Sequence, residues 1–286
     1  MAETTSTTLA ALFSDVQQAA MFTMQERGFM RPLVRNFNLV GQPGKQAKVG
    51  IYPTVATSSL VSGEGTDATN VAITATEKTF DADEIAALVT LTDTARDSAD
   101  DDTAASIGRI LGETMAKKVD EDISALFDDF TTEVGGGATP PELTADLIFQ
   151  AVANLRASSI MGPYVGVFHP NQVYNLKKQL TNAGAAQISH ALSDLGNQAL
   201  SEGFIGRIAG VDIYESAVVT GDSTGSYNGV VMHPEAIAYA LKKDITLETQ
   251  RDASLRATEI VGSMTYAVGV LQPTYGVRVN TEAVID

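Results

Sequence analysis

Residues 100–130 read DDDTAASIGRILGETMAKKVDEDISALFDDF, and the rest of the chain is organised around them. Asp100, Asp101, Asp102 and Thr103 form a helix start, with small polar caps and negative charge at the positive end of the helix dipole. Ile107, Ile110, Leu111, Met115, Val119, Ile123, Leu126, Phe127 and Phe130 then recur at spacings of three and four, which predicts one apolar face. Arg109, Glu113, Lys117, Lys118, Glu121, Asp122 and Asp128 take the opposite face. At about 1.5 Å per residue the helix spans roughly 40 Å, beyond the usual three or four turns. The run Gly135-Gly136-Gly137, followed by Pro140-Pro141, reads as its stop.

Before this helix lies a strand-rich stretch, residues 45–95, which reads as a long β-hairpin. One arm is Lys48 to Val55, where Val49, Ile51, Pro53 and Val55 alternate with polar or small neighbours. The far arm is expected at Ile85 to Thr92, with turn residues from Ser58 to Asn70 as the tip and a strand-like piece, Val71 to Lys78, leading back from it. Such a ribbon is marginal alone in water, so a neighbour is expected to support it. Residues 1–44 read as an arm: Leu9 to Arg27 is amphipathic, and Gly28, Pro32, Gly41, Pro43 and Gly44 punctuate the remainder.

After the helix, residues 142–240 alternate helix and strand. Leu143 to Arg156 and Gln172 to Leu180 read as helices, and Tyr164 to Phe168 as a buried strand. Gly203 to Ser216 reads as strand, turn at Gly210, and strand. GVFHPNQVYNLKK and GVVMHPEAIAYALKK both look like strand, His-Pro, then helix, with proline in the first helical turn. Residues 241–286 are strand-rich, with Ile260, Gly262, Met264, Tyr266, Val268 and Val270 on one side.

Composition narrows the function. A chain of 286 residues, 44% hydrophobic, has the material for a packed core. There is no cysteine, which excludes disulfides, thiolate nucleophiles and cysteine-ligated metals. A net charge of −16 argues against wrapping nucleic acid, which needs clustered cations, but suits a wall that encloses it without adhering. No apolar run approaches the ~20 residues of a membrane helix.

A search for chemistry yields little. His169 and His233 each precede a proline at a strand end, and a turn role accounts for both; His190 sits far from either. Asp100 to Asp102 is explained by capping with fewer assumptions than cation binding. Asp128-Asp129 lies at the unfavourable end of the helix dipole and reads as a solvated or partner-facing pair, although a basic residue on another subunit would explain it better. The glycine runs match neither a phosphate loop nor a dinucleotide fingerprint, and no serine lies in a nucleophile elbow. No catalytic residue, cofactor or metal is expected.

The order of arm, long hairpin, long helix, Gly-rich break, α/β region and return to strands resembles that of the major capsid proteins of tailed bacteriophages, the Hong Kong 97-type fold. LVSGEGTDATNVAIT (60–74) is similar to that family's hairpin stretch, with Glu64 as its Glu beside Gly, although Leu60-Val61 stands where an aromatic is often found. IAALVTLTDTARDSADDDTAASIGRILGETMAKKVDEDISALF (85–127) resembles the returning strand, acidic turn and spine helix, and GRIAGVDIYESAVV (206–219) a segment of the axial domain.

The resemblance implies an α+β fold with an N-terminal arm at 1–44, an extended hairpin loop at 45–95, the spine helix of a peripheral domain at 96–137, an axial domain at 138–240 and peripheral-domain strands at 241–286. It implies a structural protein, not an enzyme. Such a protein self-assembles into hexamers and pentamers of an icosahedral head in the host cytoplasm and encloses double-stranded DNA without specific binding. Expected partners are further copies of the chain, a portal protein at one vertex and, in members that carry one, a decoration protein. The arm follows Met1 within a few residues, so the scaffold is expected as a separate protein. The hairpin tip from Ser58 to Asn70 has no lysine, so covalent crosslinking is not expected. Glu64, Lys78, Asp128, Asp129, Arg251 and Arg256 are the subunit-interface candidates. Competing readings are a nanocompartment shell of the same fold around protein cargo, a soluble α/β enzyme or binding protein, and a tail or filament subunit.

Overall fold

The apolar stripe between Ile107 and Phe127 folds as a helix, α1 (Thr103–Ala125), continued by a 3-10 turn at Leu126–Asp129. The computed structural model describes residues 28–41, 43–51, 75–94, 103–137, 139–182, 204–221 and 225–282, together with Ala20 and Thr23. The acidic cap at 100–102 and the hairpin tip lie outside them. Burial along α1 repeats every fourth residue in two adjacent columns. One is Ile107, Leu111, Met115, Val119 and Ile123; the other is Gly108, Gly112, Ala116, Asp120 and Ser124. Ile110 falls outside both and is 58% exposed, contrary to its place in the expected stripe. It sits about 100° around the helix from Leu111, which turns it to solvent.

The first column packs on a four-stranded sheet. Its order is β1 (Arg35–Asn38), β10 (Ile237–Asp252), β11 (Ala257–Val270) and β4 (Asp83–Thr92). β1 runs parallel to β10, and the other pairs are antiparallel. Ile107 and Leu111 meet Ile260 and partly buried Ala87, Val89, Leu91 and Leu247. A Cβ on Gly262 would come 2.9 Å from Met115 Cε, so helix and strand approach closely there.

The second sheet has the order β5 (Thr132–Gly135), β12 (Gly276–Glu282), β9 (Ser226–Met232), β6 (Tyr164–Phe168), β8 (Val211–Glu215), β7 (Phe204–Ile208). On one face lie helices α2 (Ala145–Ala157) and α3 (Pro170–Asn182), which bury Ile148, Ala151, Val152, Leu155, Val173 and Leu176 against Val211, Ile213, Val231, Val277 and Val279. The other face sends Val165, Val167, Val230 and Met232 into the core shared with α1 and the first sheet. Covered on both faces, β6 is buried throughout, and its sequence YVGVF reads as a continuous apolar run.

Three expectations change. The segment 85–92 is not the far arm of the hairpin: it pairs with β11 from Ala257 to Tyr266, and β2 (Gln46–Ile51) pairs instead with β3 (Thr76–Asp81). Alternation in 85–92 faces Ala87, Val89 and Leu91 toward α1, and that pattern fixes a face without naming a partner strand. The run Gly135–Gly137 does not stop the helix. It ends β5, and the positive φ of 80° at Gly135 accompanies an approach to β12 where a Cβ would lie 2.2 Å from Asn280 O. After His233 comes only a 3-10 turn, Pro234–Ala236, and then β10. Residues 237–240 are buried in succession, and a short unbroken apolar run fits a buried strand as well as a helix.

Candidate subunit interfaces

The β2–β3 ribbon is a sheet of its own. It joins the body at its root, where Ala47 and Ala82 bury against Ala240 and Ala267, flanked by Phe37, Leu39 and Phe80. The Phe80 ring covers Gly269 so closely that a Cβ there would meet it at 2.3 Å. Ala82 N–H donates to the Lys45 carbonyl at 2.8 Å, and the Lys242 ammonium donates to the Gly44 carbonyl. Beyond the root most strand residues face solvent. Lys48 and Glu77 pair at 3.1 Å, and Lys78, opposite Val49, is half-buried. Glu64 lies outside the described residues.

The far end of the β10–β11 ribbon holds both arginines. Asp252 accepts from Ser254 Oγ (2.6 Å), Ser254 N–H (2.8 Å) and Leu255 N–H (3.2 Å), which shapes the turn and holds its carboxyl below the usual range. Arg251 donates through both terminal nitrogens to the two carboxylate oxygens of Asp93 at 2.6 Å each. Asp93 was not singled out from sequence, because only the β11–β4 register, with Ala257 opposite Thr92, brings it there. Arg256 has a positive φ of 48°, is exposed, and makes no ion pair among the described residues.

Asp128 accepts from Asn228 Nδ2 at 2.7 Å and lies 3.5 Å from Arg278 Nη1. Arg278 Nη2 also donates to Glu133. The cation that answers the unfavourable helix end therefore comes from β12 of the same chain. Asp129 is exposed and unpaired among the described residues.

Asp120 carries no signal of its own in the sequence, where its neighbours Glu121 and Asp122 fall on the polar face. Its carboxylate is buried and accepts from Met30 N–H at 3.1 Å and Phe29 N–H at 3.4 Å. Burial pushes its pKa up to about 6, against the pull of those two bonds. The signal that could have found it is the run of small residues at i, i+4 along the helix, which marks a second packed side.

No catalytic arrangement emerges among the described residues. His169 Nδ1 accepts from Asn171 N–H and His233 Nδ1 from Glu235 N–H, each at 3.2 Å, so both histidines cap the turns next to them. His190 lies outside the described residues. Among the described residues no group of His, Asp and Glu could hold a metal, and no helix is long and apolar enough to cross a membrane.

Comparison with solved structures places this architecture. The capsid of cyanophage P-SCSP1u matches with a TM-score of 0.66 at 19% identity, over 88% of this chain and 87% of that one. The capsid of Ralstonia phage GP4 matches with a TM-score of 0.69 at 11% identity, over 88% of each chain. A virus-like particle from Pyrococcus furiosus matches with a TM-score of 0.60 at 12% identity, over 93% of this chain and 98% of that one. No curated sequence matches. These likenesses establish the Hong Kong 97-type fold. The family described as phage capsid protein matches residues 75–279, which span β3 through most of β12 and so include the spine helix, the six-stranded sheet and every strand of the first sheet except β1. The chain belongs to the phage capsid protein family, as a structural subunit of a virion shell.

Proposed function

We propose that this chain forms the hexamers and pentamers of an icosahedral phage head and encloses double-stranded DNA without binding it specifically. The observation that carries the reading is the β2–β3 ribbon, held to its own chain at the root and exposed beyond it. A two-stranded ribbon is marginal by itself and gains a supporting surface when it lies across a neighbour. The net charge of −16 suits an inner wall that does not adhere to packed DNA. A separate scaffolding protein, a portal protein and, where one exists, a decoration protein complete the assembly. Glu64, Lys78, Asp128, Asp129, Arg251 and Arg256 are the interface residues of this reading. Arg256 leads them, because it projects from a ribbon end and has no acidic partner among the described residues.

The test is electron microscopy and content analysis of particles purified from infected or co-expressing cells. Closed icosahedral particles that contain DNA are expected, and Arg256→Glu should lower their yield several-fold while the subunit stays folded. Tubes, a persistent monomer, or unchanged yield for Arg256→Glu would overturn the corresponding part. The Pyrococcus furiosus virus-like particle shares the fold, so the same architecture also serves a second reading, a compartment shell around protein cargo. Particles filled with protein in place of DNA would establish it.

A further inference from the structure

The second buried column of α1 lies under the segment that precedes β1. At Gly112 a Cβ would come 2.4 Å from the carbonyl oxygen of Ala20, so the two backbones touch. Eight positions along, about 12 Å on the helix axis, Asp120 takes both backbone N–H groups of Phe29 and Met30. Met30 is buried in the main core, and the Phe29 ring lies 5.7 Å from that of Tyr214. Residues 28–34 thus form a strap fastened to the helix at a buried carboxylate.

A buried carboxylate is ordinarily paired with a cation or neutralised by a proton. The charged groups around Asp120 do not pair with it. On α1, Glu113 and Lys117 line the same cleft, of about 310 Å³, and Lys117 lies 3.7 Å from Glu121. From the end of β8, Glu215 lines the cleft and lies 4.0 Å from Lys177 of α3. From the strap itself, Arg31 places its guanidinium 5.2 Å over the Tyr239 ring. Only the two amides serve Asp120 among the described residues.

We propose that Asp120 is a proton-dependent clasp, so that residues 28–34 are held tightly when its carboxyl is neutral and loosely when it is ionised. The sign comes from linkage. Lifting the strap exposes Asp120 to water, where it ionises near 3.8, whereas in the docked state it ionises at about 6. The docked state binds the proton more tightly, so acid favours docking. The extra hold is absent well above pH 6, grows as pH falls through 6, and is complete below about 4, where it amounts to a factor on the order of a hundred. This inference is independent of what the shell contains.

Hydrogen–deuterium exchange of the full-length chain tests it. The peptide covering Phe29–Val34 is compared with one covering Tyr164–Phe168 between pH 8 and pH 5, each corrected for intrinsic exchange. Protection of the strap relative to the reference should rise about tenfold over that range. Asp120→Asn should be protected and flat. Strap protection that tracks the reference in the wild type, or an Asp120→Asn chain with the wild-type pH dependence, overturns the proposal. If the Asn variant does not fold, the wild-type profile decides alone.

Discussion

Gln172 joins three elements through one side chain. Its Oε1 accepts from His169 N–H at 2.9 Å, and its Nε2 donates to the Tyr227 carbonyl at 2.8 Å and to Thr281 Oγ1 at 2.7 Å. The side chain is fully buried, and the His169 and Tyr227 rings stack at 3.8 Å beside it. Replacing it with Leu keeps the bulk but strands an N–H, a carbonyl and a hydroxyl. Gln172→Leu should therefore lower stability by about 2–4 kcal/mol, read from the denaturant midpoint. A loss below about 0.5 kcal/mol would mean water replaces the amide. Nothing in the sequence marks Gln172, since a polar residue on a helix is normally solvated. Its role exists only where α3, β9 and β12 converge. His169 and His233 were legible for the opposite reason: a His-Pro pair carries its capping geometry locally.

At the scale of elements, the hairpin was half legible. Alternation announced strands on both sides of 58–70, but the partner of Ile85–Thr92 depended on β11, more than 160 residues away in register. The start of β10, residues 237–243, carries a helix-like pattern because its first residues are buried in unbroken succession. The ribbon's attachment to the body depends on a contact that composition hides, the Phe80 ring lying over Gly269. Gly269→Ala should push Phe80 off its seat and cost about 1–3 kcal/mol. Limited proteolysis between Gln46 and Asp81 should accelerate more than cleavage elsewhere. Equal acceleration throughout would show general destabilisation and not a loosened root.

At the scale of the molecule, the order of elements was the most legible feature, because each long periodic segment carries its own signal. How they share a core was not. The central sheet is double-sided: β6 and β9 give Val165, Val167, Val230 and Met232 to one core and Tyr164, Phe168 and Val231 to the other. Neither core can therefore empty without exposing the strands of its neighbour. Chemical denaturation of the isolated subunit should show one transition, coincident by far-ultraviolet circular dichroism and tyrosine fluorescence. Two resolved steps would mean that the cores unfold separately.

The pairing of β10 with β11 carries two register irregularities close together, between Leu241 and Lys243 and between Lys243 and Thr246. From there the ribbon continues as regular pairs from Thr246–Ser263 out to Asp252–Ala257. At about 3.3 Å per residue that is a length of roughly 20 Å. Bulged pairing bends and twists a ribbon at the bulge. Over that length β11 also pairs with β4, Leu247 and Ile260 pack against α1, and Arg251 is tied to Asp93, so the bend set by the two irregularities is locked and the Arg251–Arg256 end leaves the body at a fixed angle.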